Sequence, residues 1–79
     1  MIDPAQIKNW IQESLSCEHV DVQGDGRHFE AVIVSPAFRG KSRVQQHQLV
    51  YAALGGRMGA EIHALSMKTF TPEDWAVQC

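Results

Sequence analysis

His19-Val20-Asp21-Val22-Gln23-Gly24-Asp25-Gly26-Arg27-His28-Phe29-Glu30-Ala31-Val32-Ile33-Val34 is the stretch that decides the fold. His19 to Gln23 alternates apolar and polar residues, the period of a half-buried strand. Gly24-Asp25-Gly26 carries the Asp-Gly signal of a tight hairpin, and Phe29 to Val34 is dense in strand formers. Two antiparallel strands follow. Upstream, Asp3-Pro4-Ala5-Gln6 places a capping Asp before Pro at the first helical position, with Gln6 able to bond back to the cap. Ile7, Trp10, Ile11 and Leu15 then recur at helical spacing, which predicts an amphipathic helix from Pro4 to Ser16.

Downstream, Pro36 closes the second strand, and Phe38-Arg39-Gly40-Lys41 reads as a loop leading to a second capping box, Ser42-Arg43-Val44-Gln45. Val44, Leu49, Val50, Ala53 and Leu54 form the apolar set of a second helix, stopped by glycines at 55, 56 and 59. Glu61 to Phe70 is the third strand, with Ile62, Leu65, Met67 and Phe70 as its apolar content. Thr71-Pro72-Glu73-Asp74 caps a short closing helix that carries Trp75. The order is helix, strand, strand, helix, strand, helix. It predicts one α+β domain over residues 1–79, a three-stranded mixed sheet with its helices on one face. The helical crossover between the second and third strands makes them parallel, so their N-terminal ends share one edge of the sheet. His28 begins one and His63 the other. If the strands are neighbours, two imidazoles come within reach of one metal ion; otherwise both are ordinary strand-end histidines.

Composition narrows the function classes. The chain has 79 residues, 44% of them hydrophobic and 20% charged, with a formal net charge of -2. A domain of this size buries only about 60% of the surface its unfolded chain exposes, which favours a binding surface over a deep, self-contained active site. No apolar run approaches a membrane span and Met1 to Trp10 lacks signal-peptide order, so a cytoplasmic location is expected. Cys17 and Cys79 are read as free thiols. Neither Cys17 nor the scattered carboxylates form a nucleophile-base or acid-base constellation, so no enzyme activity is expected. Arg39, Lys41 and Arg43 crowd the loop before the second helix, with His47 within that helix, and mark a surface for a partner or nucleic acid. Gly56-Arg57-Met58-Gly59 formally matches the GXXG loop of KH domains, although here it leads from a helix into a strand.

Several blocks in order carry a family resemblance: Gly24-Asp25-Gly26-Arg27-His28-Phe29, Val34-Ser35-Pro36-Ala37-Phe38-Arg39-Gly40-Lys41-Ser42-Arg43, Gln46-His47-Gln48-Leu49-Val50-Tyr51, and Ile62-His63-Ala64-Leu65-Ser66-Met67-Lys68-Thr69-Phe70-Thr71-Pro72. Over nearly its whole length the chain resembles the BolA-like family, in particular its small bacterial acid-response members. The resemblance implies a fold similar to a type II KH domain and a non-enzymatic adaptor role. It also implies pairing with a monothiol glutaredoxin, the pair sharing a two-iron two-sulfur cluster with glutathione; no cofactor is expected on the chain alone. Carried over by position, the cluster ligands on this chain would be His63 and His28. A homodimer is also open to it. Some larger relatives act as transcriptional regulators, which makes nucleic-acid binding in a stress response the second reading. His47 stands where many relatives have a basic Arg-His-Arg context, but here Gln46 and Gln48 flank it.

Overall fold

The computed structural model describes residues 2–59, 62 and 64–78, with backbone only at 78. Helix α1 spans Pro4–Ser14. Its capping box is complete: the Asp3 carboxylate accepts from Ala5 N–H at 3.0 Å, and Asp3 N–H donates to Gln6 Oε1 at 3.0 Å. The helix ends two residues before the predicted Ser16 because Leu15 is already extended, with φ −134° and ψ 126°. That turn delivers Glu18, whose N–H donates to Val34 O at 2.8 Å just ahead of the first strand.

Strands β1 (His19–Gly24) and β2 (His28–Val34) pair antiparallel, and β3 (Ala64–Phe70) lies parallel to β2, so the order is β1-β2-β3 with β2 central. The three-residue connection Asp25 to Arg27 matches the expected hairpin, and the parallel neighbour matches the crossover argument. Phe29, Ala31 and Ile33 turn to one side, level with Leu65, Met67 and Thr69 of β3. There they meet Ile7 and Ile11 of α1 and Val50 and Leu54 of α2 (Arg43–Leu54), with Phe38 and Ile62 completing the core. Burial of each fully buried Ile, Leu, Val or Phe side chain contributes about 1.5–3 kcal/mol, the main force holding helices to sheet. Helix α2 starts on its own capping box, with Ser42 Oγ accepting from Gln45 N–H and Gln45 Oε1 accepting from Ser42 N–H. Val44, counted in the apolar set of this helix, is 67% exposed; of the others Val50, Ala53 and Leu54 are buried and Leu49 packs half-buried against the core.

Two short turns lie beyond the expected elements. Pro36–Phe38 forms a 3-10 turn capped by Ser35, and Gly55–Arg57 forms another at the end of α2. The chain then bridges Met58 to Ile62, and the described part of β3 starts at Ala64 rather than Glu61; Glu61 and His63 lie outside the described residues.

Helices α1 and α2 cover one face of the sheet as expected. The closing helix α3 (Pro72–Gln78) departs from that arrangement. Its Trp75 packs on His19 and Phe70, with ring centroids 5.2 and 5.3 Å away. His19, Val34 and Phe70 form one cross-sheet row, on the opposite side from Ile33. Trp75 therefore covers the end of the second face, and this explains why Val34 is buried. Among the described residues, no helix is long and apolar enough to cross a membrane.

Candidate ligand rim and basic cleft

The hairpin rim is built by local hydrogen bonds. Asp25 Oδ1 accepts from the N–H groups of Arg27 and His28, both at 2.9 Å, and Asp25 N–H donates to His28 O at 3.3 Å. These donors, His28 first and Arg27 next, hold the Asp25 carboxyl below the usual carboxylate range. Gly26 turns the chain with φ 99°, a region that side chains disfavour. Gly24 lets the strands close, since a Cβ there would sit 2.5 Å from both His28 O and a Phe29 ring carbon. His28 is thus presented, exposed, at the first position of the central strand.

In the parallel register His28 is level with Ala64, the residue that follows His63 in the chain. The two strand starts therefore meet at one edge, offset by one residue from the pairing of His28 with His63. His63 itself lies outside the described residues. Imidazole nitrogen is a suitable donor for iron, and an exposed ring on a fixed turn can accept a metal shared with a second molecule. Among the described residues, no three or more His, Cys, Asp or Glu side chains cluster as a metal site.

The expected basic surface divides in the structure. Arg39 does not stand free: its Nε and Nη2 donate to the two carboxylate oxygens of Glu73 at 2.7 and 2.5 Å. This bidentate pair raises the Arg39 pKa, lowers that of Glu73, and ties the start of α3 to the Pro36–Phe38 turn. Arg57 of the GXXG match is also engaged, its guanidinium 4.4 Å from the Trp10 ring centroid and its Nη1 donating to Leu54 O at 3.3 Å. Lys41 is exposed in its loop.

Arg43 and His47, one helical turn apart, line a cleft of about 310 Å³ together with Met67, Lys68, Thr69 and Phe70 of β3. His47 Nε2 is buried and has no hydrogen-bond partner among the described residues. Lys68 and Thr69 escaped attention as site residues; the alternation of β3 was the available signal, since it turns Lys68 to the exposed face. Cys17 is half-buried, its Sγ donating to Leu15 O at 3.3 Å, and burial pushes its thiol pKa up, as befits an unreactive thiol. Cys79 lies outside the described residues.

Comparison with known proteins identifies the family. The family model described as BolA-like protein matches residues 7–74. The chain is 40% identical over 72 residues to the acid stress protein IbaG of Escherichia coli, covering 90% of this chain and 86% of the relative. It is 41% identical over 66 residues to the DNA-binding transcriptional regulator BolA of Haemophilus influenzae, covering 84% of this chain and 64% of that protein. The structure of a BolA homologue from Coxiella burnetii superposes with a TM-score of 0.88 at 47% identity, over 96% of this chain and 99% of that one. With the match spanning the hairpin rim, both sheet pairings and the start of α3, the chain belongs to the BolA-like protein family.

Proposed function

We propose that this protein is a non-enzymatic adaptor that pairs with a monothiol glutaredoxin and co-ligates a two-iron two-sulfur cluster through His28 and His63. The observation that carries the reading is the presentation of His28, exposed at the head of the central strand and locked by Asp25, beside the strand start that follows His63. Two imidazoles are half a ligand set, so the partner's cysteine and a glutathione thiol would complete it. Exchanging thiolate for neutral imidazole on one iron lowers the negative charge of such a cluster and raises its reduction potential. Protons compete for the same nitrogens, so the shared site should be acid-labile, which accords with a role in iron-sulfur trafficking or in iron or stress regulation.

The test is anaerobic reconstitution with a monothiol glutaredoxin, glutathione, iron and sulfide, followed by visible absorption and circular dichroism. A heterodimer spectrum distinct from that of the glutaredoxin alone, and altered by both His28→Ala and His63→Ala, is expected. An unchanged cluster in the His63→Ala pair refutes the reading.

Nucleic-acid binding is the second reading, favoured by the name of the Haemophilus relative. The commitment of Arg39 to Glu73 and of Arg57 to Trp10 removes two of its cations. It requires affinity that falls steeply with salt and depends on Lys41 and Arg43.

A further inference from the structure

The order β1-β2-β3 leaves β3 at an edge of the sheet. In a parallel pair, alternate residues of a strand turn both main-chain groups toward the same neighbour. Phe70 O accepts from Ser35 N–H at 3.0 Å, so Phe70, and with it Lys68 and Ser66, bond toward β2. Leu65, Met67 and Thr69 therefore turn N–H and C=O outward. Among the described residues, nothing takes those groups. Open edges of this kind are templates for a further strand.

Helix α2 makes this edge a groove. Thr69 Oγ1 donates to Gln46 Oε1 at 2.6 Å, which holds the helix beside the strand and sets Arg43 and His47 along the cleft. Arg43 and Lys68 are exposed cations, and no acidic side chain lines the cleft among the described residues. We propose that an extended peptide segment with acidic side chains docks here, adding a strand to the outer edge of β3 and bringing carboxylates to Arg43 on the α2 side of that edge or to Lys68 on the open side. This surface is separate from the His28 rim and does not depend on the cluster reading.

Three observations select that occupant. Charge complementarity favours an anion, whereas a second copy pairing through the same edge would bring Arg43 and Lys68 against their own equivalents. A volume of about 310 Å³ is at the lower limit for small-ligand pockets, suited to a side chain or two above a paired backbone. A single strand of nucleic acid would want free aromatic platforms. The aromatic ring in the cleft, Phe70, already packs on Trp75.

The probe is a fluorescein-labelled, acetylated octapeptide alternating valine and glutamate, titrated into the intact protein by anisotropy and by amide NMR. Saturable binding with a dissociation constant on the order of 100 μM is expected, weakened at least ~10-fold by the double substitution Arg43→Glu, Lys68→Glu. The amides of Leu65, Met67 and Thr69 should shift and gain exchange protection. The same peptide N-methylated on alternate residues, which tests the unaltered protein, should not bind. Equal binding of a lysine-for-glutamate peptide, or of the N-methylated one, overturns the proposal. So does a single-stranded octadeoxynucleotide that shifts these amides when the peptide does not, a concentration-dependent dimer that shifts them without peptide, or no saturation at about 1 mM.

Discussion

Ser35→Ala should cost this fold about 2 kcal/mol although it removes a single oxygen. Ser35 is fully buried between β2 and the Pro36–Phe38 turn. Its hydroxyl donates to Ser16 O at 2.5 Å and accepts from Ala37 N–H at 3.1 Å, joining the end of the α1 segment to the turn. Alanine nearly preserves the volume, so the cavity contribution is small. Each lost bond costs about 1–1.5 kcal/mol, and the two stranded backbone groups lie in part-buried surroundings. Relief of the hydroxyl's own desolvation offsets a fraction of this. A domain of this length is stable by roughly 4–12 kcal/mol, so the loss is a sizeable share of the whole. Urea titration followed by far-ultraviolet circular dichroism should show a lower midpoint with an unchanged slope. The melting temperature should fall by about 8–16 °C. A loss below about 0.5 kcal/mol would refute the reasoning, since Ser16 O and Ala37 N–H would then have found equivalent partners without the hydroxyl.

Acid should weaken the fold through two particular carboxylates. Asp25 and Glu73 have folded-state pKa values below their unfolded ones, so the unfolded chain binds more protons as pH falls. Their stabilisation is complete above the usual carboxylate range and is lost on descending through their lowered values. The urea midpoint between pH 7 and pH 3 should therefore fall less steeply in an Asp25→Ala, Glu73→Gln double variant than in the parent, and equal slopes would defeat the argument. Cys17 should alkylate slowly with iodoacetamide at neutral pH, because burial keeps it protonated; peptide mapping after digestion separates it from Cys79. Modification at the rate of a free small thiol would contradict that.

The legible features were those written within four residues of one another. Both capping boxes and the Gly24-Asp25-Gly26 turn are satisfied where the sequence places them, because a cap or turn bonds only to its near neighbours. The helical crossover made β2 and β3 parallel for reasons of chain handedness alone. The departures lie where packing between elements decides. Leu15 has helical spacing, but tertiary pairing of Glu18 with Val34 takes the chain into the sheet first. Val44 is apolar and lies within α2, yet the helix turns it to solvent. The Ser35 cap was missed because a Ser-Pro pair was read as the end of a strand, while its hydroxyl answers a carbonyl 19 residues earlier.

For the candidate site, sequence alone placed His28 and His63 at one sheet edge as a metal pair conditional on strand order and singled out the basic residues around the second capping box, and the family resemblance named both histidines as cluster ligands. Which cations stay free was beyond it. Arg39 meets a carboxylate 34 residues away, Trp75 crosses to the face that holds His19, and Lys68 joins Arg43 at one cleft only after β3 docks beside α2. Helix caps, turns and hydrophobic periods are determined by short-range sterics and hydrogen bonding, so the chain declares them residue by residue. Charge pairing and an open strand edge arise between elements distant in sequence. They exist only once packing has fixed which surfaces face each other, and this the tertiary structure alone decides.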